Sequence, residues 1–439
     1  MVRHRTYHSL GFDLGLFDQV FWNTTQGRPF ESTMSQALAV PHSFLGDHFS
    51  PGLAILLPFY ALYPHPETLV VAQTLALAIG AWPVYLLARL KLPAEFAPVW
   101  VVAYFLFIPL AYINLFDFHE VALSVAPLGF ALYFLERGRK VWFLVFLTFA
   151  ILLKEEMALI AVGFGAYALL GKRDWRVGAG LVVGGVAVFL LLIDWVIPYL
   201  GGGRGYPYIS GRYAAVGGSP MGVLRTLVTD PLRIARALLQ AKKLEFLVAI
   251  FGPVLGLSAI AGWATLVMVP TLAYLLLSSY EQQFAFTSQY SAPLIALVVG
   301  TAIIALARLP RRTQGYVAGV VLVSSLAFAW AYGDLPFSRK FDPSQFEMPA
   351  RYAPFVAQLA QIPAGARVSA EDGLASQMSE RRYLYDYHFQ GLQDAQWVVL
   401  DYAGAGYSMA VFDAQVADAE SKGYAEVATG YGLALLRRS

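Results

Sequence analysis

Cysteine is absent from all 439 residues, which excludes a disulfide framework, a thiolate nucleophile and a zinc–cysteine centre. Charge is scarce as well. Asp, Glu, Lys and Arg together make up 14% of the chain, against about a quarter in ordinary soluble domains. The formal net charge of +2 comes with no basic stripe, so no nucleic-acid partner is expected. A Gly-rich phosphate loop, an HExxH zinc motif, a signal-peptide pattern and an internal solenoid-like repeat are missing too. No cofactor is assigned on these grounds, although the many Asp, Glu and His residues in the polar loops leave a divalent cation open.

What is abundant is apolar. Hydrophobic residues make up 58% of the chain, and a helix crosses a bilayer with about 20 of them in a row. Runs at 67–88, 97–112, 121–135, 177–200, 293–306 and 316–332 each read as one span. Residues 141–170, broken by Lys154-Glu155-Glu156, and 246–277, turning near Gly262, each read as a pair. The expectation is a polytopic α-helical membrane protein of about ten spans, with the lipid bilayer as a partner. Residues 1–64 would form an outer loop with interfacial helices and 65–333 the transmembrane helical domain.

Basic residues near span ends stay on the cytoplasmic side. Arg89, Lys91, Arg137, Arg139, Lys140, Lys172, Arg173, Arg176, Arg308, Arg311 and Arg312 fall in one set of short connections, and only Lys154 falls in the other. This bias predicts a multi-pass protein of the cytoplasmic membrane with both ends of the chain outside. The N-terminal segment would then cross with no span ahead of it, so one further span is expected to be missing at the N-terminus. Beyond 333 turn residues and charges return, with short alternating runs at 366–371, 381–387 and 396–402 and a closing ALLRR. Residues 334–439 are therefore expected to form a small extracytoplasmic α/β domain with its own core.

In that orientation the unusual polar residues gather on the outer face. They are Asp13 and Asp18 in FDLGLFDQVFW; His48 in GDHFSP; Asp117, His119 and Glu120 in NLFDFHE; Lys154, Glu155 and Glu156; Arg204, Tyr206, Tyr208 and Arg212 in GGGRGYPYISGRY; and Gln289 and Tyr290 in TSQYS. Ionisable groups at membrane depth cost at least a few kcal/mol each, so they mark a site or are paired there. Five loops converging at one face predict one shared polar cavity. The bland reading is that outer loops are simply polar, but the cytoplasmic loops hold little besides Lys, Arg and turn residues. Asp13 and Asp18 are five residues apart, about 140° around a helix, so they do not share a face. The same long loop and its continuation carry Arg225, Arg233, Arg236, Lys242 and Lys243. That is either the freedom of a long loop or a surface for phosphate groups.

FDLGLFDQVFW, GDHFSPGLAILLPFYAL, LFDFHEVAL, LLKEEMAL, GYPYISGRY and QYSAPL, in this order over Gly11 to Leu294, resemble the predicted membrane proteins of domain-of-unknown-function family 2079. That family is similar to the GT-C glycosyltransferases, which take sugar from a polyprenyl-phosphate carrier at the outer face. The resemblance implies a GT-C-like architecture. It implies a polyprenyl-phosphate-linked sugar and an unknown acceptor as partners, and Asp13 at the place of the catalytic base. The remaining polar residues named above would bind substrate. The sequence departs from the pattern in two respects: the first span is absent, and Asp13 is followed by Leu14 where an adjacent acid is common. Two rival functions stay open. One is a transporter or flippase of a lipid-linked or acidic solute. The other is a non-catalytic envelope assembly protein displaying its C-terminal domain.

Overall fold

A computed structural model describes residues 1–34, 40–206, 208–402, 404 and 406–439. After one short helical turn at Val2–Arg5, a π-type turn, Gly11–Gly15, runs into helix α1 (Leu16–Thr25). Gly11 and Gly15 are required there. A Cβ on Gly11 would meet Ala375 Cβ at 2.4 Å, and one on Gly15 would meet Ser376 Cα at 3.1 Å. Two short strands, β1 (Glu31–Ser32) and β2 (His42–Ser43), pair antiparallel, and helix α2 (Leu57–Leu62) leads to the membrane helices.

Helix α3 (Pro66–Lys91), α9 (Trp175–Leu200), α15 (Gln289–Leu306) and α16 (Arg311–Tyr332) are each long and apolar enough to cross a bilayer. The broken helix α4 (Ala97–Phe105) and α5 (Ile108–Leu115), bent by 49°, makes a fifth span when the two are joined. Between them lie the shorter α6 (Val125–Glu136), α7 (Lys140–Ile151) and α8 (Met157–Leu170). After α9 come α10 (Tyr208–Arg212), α11 (Pro220–Thr229), α12 (Pro231–Leu238), α13 (Ala241–Phe251) and α14 (Val269–Leu277). Where the sequence reads two passes over 246–277, the chain instead strings α13 and α14 together through three 3-10 turns. Pro253 and the left-handed Leu255, Gly256 and Gly262 break regular helix there. At about 1.5 Å per residue neither piece alone reaches the ~30 Å of a bilayer core.

Packing explains the order. Every residue of Ala292–Leu306 in α15 is buried, so this helix is the axis of the bundle. Helices α8 and α9 approach closely because a Cβ on Gly165, Gly178 or Gly185 would meet the facing helix at 2.7 to 2.9 Å, the small-residue contact common between membrane helices. The bundle's Lys/Arg-rich end is closed by ion pairs. Buried Glu136 accepts from Lys91, from Lys172 at 2.7 Å and from the Tyr167 hydroxyl, and Lys140 pairs with Asp174 at 2.5 Å.

After α16 the chain forms α17 (Ala353–Leu359), strands β3 (Val368–Ala370), β4 (Leu384–Asp386) and β5 (Trp397–Asp401), α18 (Met409–Ser421), and strands β6 (Tyr424–Gly430) and β7 (Leu433–Arg438). The five strands form one sheet in the order β4-β3-β5-β7-β6, parallel among β3, β4 and β5 and antiparallel at β7 and β6. Alternation splits the sheet between two cores. Val398 and Leu400 pack on Phe412 and Ala419 of α18. Val399 and Leu435 share a core with Leu14, Phe17, Val20 and Met34 of the N-terminal segment. The expectation of a C-terminal unit with a core of its own is thus corrected on one face, which the first 34 residues complete. Gln19 reinforces the join by donating to the Arg381 and Arg382 carbonyls, and Thr33 Oγ1 does so by donating to the Leu384 carbonyl at 2.5 Å.

Candidate functional site

The π-type turn presents Asp13 toward a cavity of about 130 Å³. Its Oδ1 lies 3.0 Å from His119 Nε2. His119 is held by its own loop, since its Nδ1 donates to the Asp117 carbonyl at 3.1 Å, and the loop in turn is held by Gln73 of α3. Gln73 accepts the His119 N–H at 2.9 Å and donates to the carbonyls of Ile113, Phe116 and Asp117. With Nδ1 committed as a donor, Nε2 donates to Asp13 only as imidazolium. Burial alone would lower the imidazole, but the charge and hydrogen bond of Asp13, with Glu120 and the Asp117 carbonyl, outweigh it and raise it above its ordinary value.

The floor comes from the turn between α7 and α8. Lys154 Nζ donates to Glu120 Oε1 at 2.5 Å, both side chains buried, and the other Glu120 oxygen is buried without a partner among the described residues. Burial opposes charge on both groups, yet their mutual attraction keeps Glu120 below and Lys154 above its usual value. Glu155 accepts from His48 Nδ1 at 2.7 Å, from the Tyr206 hydroxyl at 2.6 Å and from the Phe49 N–H at 3.0 Å. Burial raises it, but His48 and then Lys154 prevail and hold it below the carboxylate range. His48 stacks on Tyr208, ring centroids 4.9 Å apart and planes at 6°.

Arg212 lines the same cavity. Its guanidinium lies 4.7 Å from the ring centroids of Tyr208 and Tyr280 and 5.6 Å from that of Tyr290. These rings are neutral phenols, and no carboxylate lies within ion-pair distance of Arg212 among the described residues. Lys154 is neutralised by Glu120, so Arg212 is the wall's open cation. Rings on its faces leave its in-plane N–H fork available, and that fork matches phosphate oxygens.

Of the residues expected at the site, Asp13, His48, His119, Glu120, Lys154, Tyr208, Arg212, Gln289 and Tyr290 line this one cavity. Glu155 and Tyr206 stand behind His48, and Glu156 stands next to them with its carboxyl raised by burial. Asp117 accepts the Leu10 N–H at 2.6 Å and holds the N-terminal segment rather than a ligand. Two further expected substrate-binding residues lie off the cavity. Asp18 is fully buried away from the cavity, accepting from the Tyr60 hydroxyl at 2.5 Å and Ser379 Oγ at 2.7 Å, with burial raising its carboxyl to about 7. Arg204 turns its Nε to the Gly201 carbonyl at 3.0 Å and closes its own glycine loop. The site set missed Asp47, paired with His42 at 2.8 Å, and Tyr280, as well as the apolar wall of Phe12, Leu16, Phe17, Met34 and Phe44. It also missed Gln73, whose signal is a lone amide in the apolar run LVVAQTLAL.

No three His, Cys, Asp or Glu side chains are arranged to hold a metal ion among the described residues. The cavity acids are turned toward cations, Asp13 to His119 and Glu120 to Lys154, so this donor set does not fit a divalent cation.

The fold is similar to that of ArnT from Cupriavidus metallidurans. The crystal structure of ArnT bound to undecaprenyl phosphate superposes with a TM-score of 0.61 at 15% identity, covering 98% of this chain and 94% of that one. Its apo state gives 0.59 at the same identity and coverage. This likeness establishes a helical, GT-C-like membrane fold. No curated protein matches the sequence. The family model for predicted membrane proteins DUF2079 matches residues 3–435, nearly the whole chain, and the protein belongs to that family.

Proposed function

We propose that the protein is a GT-C-type glycosyltransferase that moves a sugar from a polyprenyl-phosphate donor to an acceptor on the outer side of the cytoplasmic membrane. The observation that carries this reading is a part-buried acid–imidazole pair, Asp13–His119, lining one small cavity together with an arginine that has no carboxylate partner among the described residues. The similar ArnT structure holds undecaprenyl phosphate, the class of ligand that an unpaired guanidinium facing the lipid would recognise. Both ends of the chain lie on the outer side in this reading, because the Lys/Arg-rich connections cluster at the far end of the bundle.

In the reaction Asp13 takes the proton of the acceptor hydroxyl as that oxygen attacks the anomeric carbon, and a single displacement inverts the centre. The bond to the phosphate oxygen breaks, and Arg212 meets the charge that develops on the leaving polyprenyl phosphate. His119, fixed through the Gln73-bound loop, keeps Asp13 turned into the cavity. The stack of His48 on Tyr208 and the ring of Tyr290 give a sugar flat faces to lie on.

Purified protein given a polyprenyl-phosphate sugar and a mixture of envelope acceptors tests this. Transfer that depends on Asp13 supports it. Transfer that persists unchanged in Asp13→Asn removes Asp13 from the role of base, and movement of the lipid across a bilayer without any transfer product replaces the enzyme with a flippase.

A further inference from the structure

Helices α11 and α12 are not used by the cavity, yet they are built for a particular surface. On α11, Met221, Leu224, Leu227 and Val228 are exposed, the last of them 82%, while Thr226 on the opposite side is buried. Successive residues turn by about 100°, so Met221, Leu224 and Val228 form one outward stripe, with Arg225 at its edge. On α12, exposed Leu232 and Arg236 share the outward side, and Ile234 turns in. Between Pro220 and Lys242 the basic residues are Arg225, Arg233, Arg236 and Lys242, and the acidic one is Asp230. Asp230 is spent as the cap of α12, accepting the Arg233 N–H at 3.1 Å.

An apolar stripe bordered by cations is the pattern of a helix lying in the plane of a membrane interface, its stripe among the acyl chains and its basic rim among headgroups. We propose that α11 and α12 form an interfacial arm that binds anionic phospholipid headgroups of the leaflet on the cavity side. Charge complementarity identifies the occupant: Lys242 is paired with Glu281 and Arg233 is turned to the Ala214 and Ala215 carbonyls, and the remaining Arg225 and Arg236, with the one acid already a cap, favour an anionic headgroup over a zwitterionic one. The arm connects to the cavity wall. Arg233 Nε donates to the Ala215 carbonyl at 2.6 Å, three residues after the end of α10 with its Tyr208 and Arg212. Lipid held by the arm therefore fixes the segment that presents Arg212.

The absence of cysteine makes the test clean, because any introduced thiol is the sole one. Val228→Cys, carrying an environment-sensitive fluorophore, is placed in nanodiscs with a trace of spin-labelled phosphatidylglycerol or, separately, spin-labelled phosphatidylcholine in a phosphatidylcholine background. A second protein labelled at Val183→Cys, on the exposed face of α9, reports that the bundle is intact and in lipid. Each basic group near an anionic surface favours the anionic lipid by about fivefold. The expected result is quenching at 228 by both lipids, with the phosphatidylglycerol several-fold more effective. That preference should fall toward equality in the Arg225→Gln/Arg236→Gln protein, with quenching at 183 unchanged. Equal quenching by the two lipids overturns the headgroup assignment. No quenching at 228 while 183 is quenched overturns the interfacial arm altogether.

Discussion

The two ends of the helical bundle both gather ionisable side chains, and they treat them in opposite ways. At the Lys/Arg-rich end, Glu136 is buried with two lysines and a tyrosine hydroxyl on its oxygens, so its hydrogen-bonding capacity is filled from within the protein. At the cavity end, among the described residues, Arg212 is enclosed by tyrosine rings with no carboxylate, one Glu120 oxygen is buried without a partner, and Asp13 faces the cavity beside a single imidazole. A saturated cluster staples helices, whereas an unsaturated one has valences left for a ligand. Charge at a membrane boundary is thus a poor mark of function on its own, and unspent bonding capacity is a better one.

That contrast can be broken or sharpened by substitution. Asp13→Asn keeps the shape of the side chain and removes its basicity, and sugar transfer should fall by about 10²–10⁴-fold. Arg212→Gln should reduce transfer by about 10²–10³-fold. Arg212→Lys should restore it only in part, because an ammonium neither stacks between three rings nor offers a fork. Glu136→Gln should do the reverse. Leaving Lys91 and Lys172 without their shared acid costs about 3 kcal/mol of stability, read by denaturation in detergent, while the transfer rate at low temperature holds.

The pH dependence is smaller and has a definite sign. His119 is raised above the ordinary value of about 6.5, so its pairing with Asp13 is complete below that pH and is lost as the pH rises through the raised value. Transfer should therefore decline on the alkaline side, and His119→Gln should abolish that limb. The smallest effect on transfer belongs to Asp18→Asn. Asp18 binds its proton more tightly in the folded chain, at about 7 against about 3.9 in the unfolded one. Its contribution to stability is present below about 4 and lost as the pH rises through 7. The asparagine protein should transfer normally and lack that pH-dependent loss.

How much of this could be read from the sequence depended on how local each feature is. The strands β3, β4 and β5 fall inside the alternating runs at 366–371, 381–387 and 396–402, and β7 covers the closing ALLRR, because strand alternation is written into adjacent residues. That one sheet face needs Leu14, Phe17 and Val20 to complete it is a contact across more than 300 residues, which no local pattern carries. Asp13 and Lys154 stood out as charges in apolar runs. Arg204 and Arg212 could not be told apart, since both sit in one glycine- and tyrosine-rich loop. The difference lies in Tyr280 and Tyr290, which arrive from another loop to enclose one arginine, and in the Gly201 carbonyl, which accepts from Nε of the other. The breaks at Pro253, Leu255 and Gly262 look in sequence like one turn near Gly262 because the run around them stays apolar throughout.

The central claim is that the cavity's unspent cation receives a lipid phosphate. The measurement that tests it most directly is a cryo-EM structure of the protein in lipid nanodiscs with added polyprenyl phosphate. The account predicts density for the phosphate within about 3 Å of the Arg212 guanidinium, on the side of the cavity facing Asp13. A phosphate bound instead at Lys91 and Lys172, or nowhere near Arg212 at saturating lipid, would contradict it.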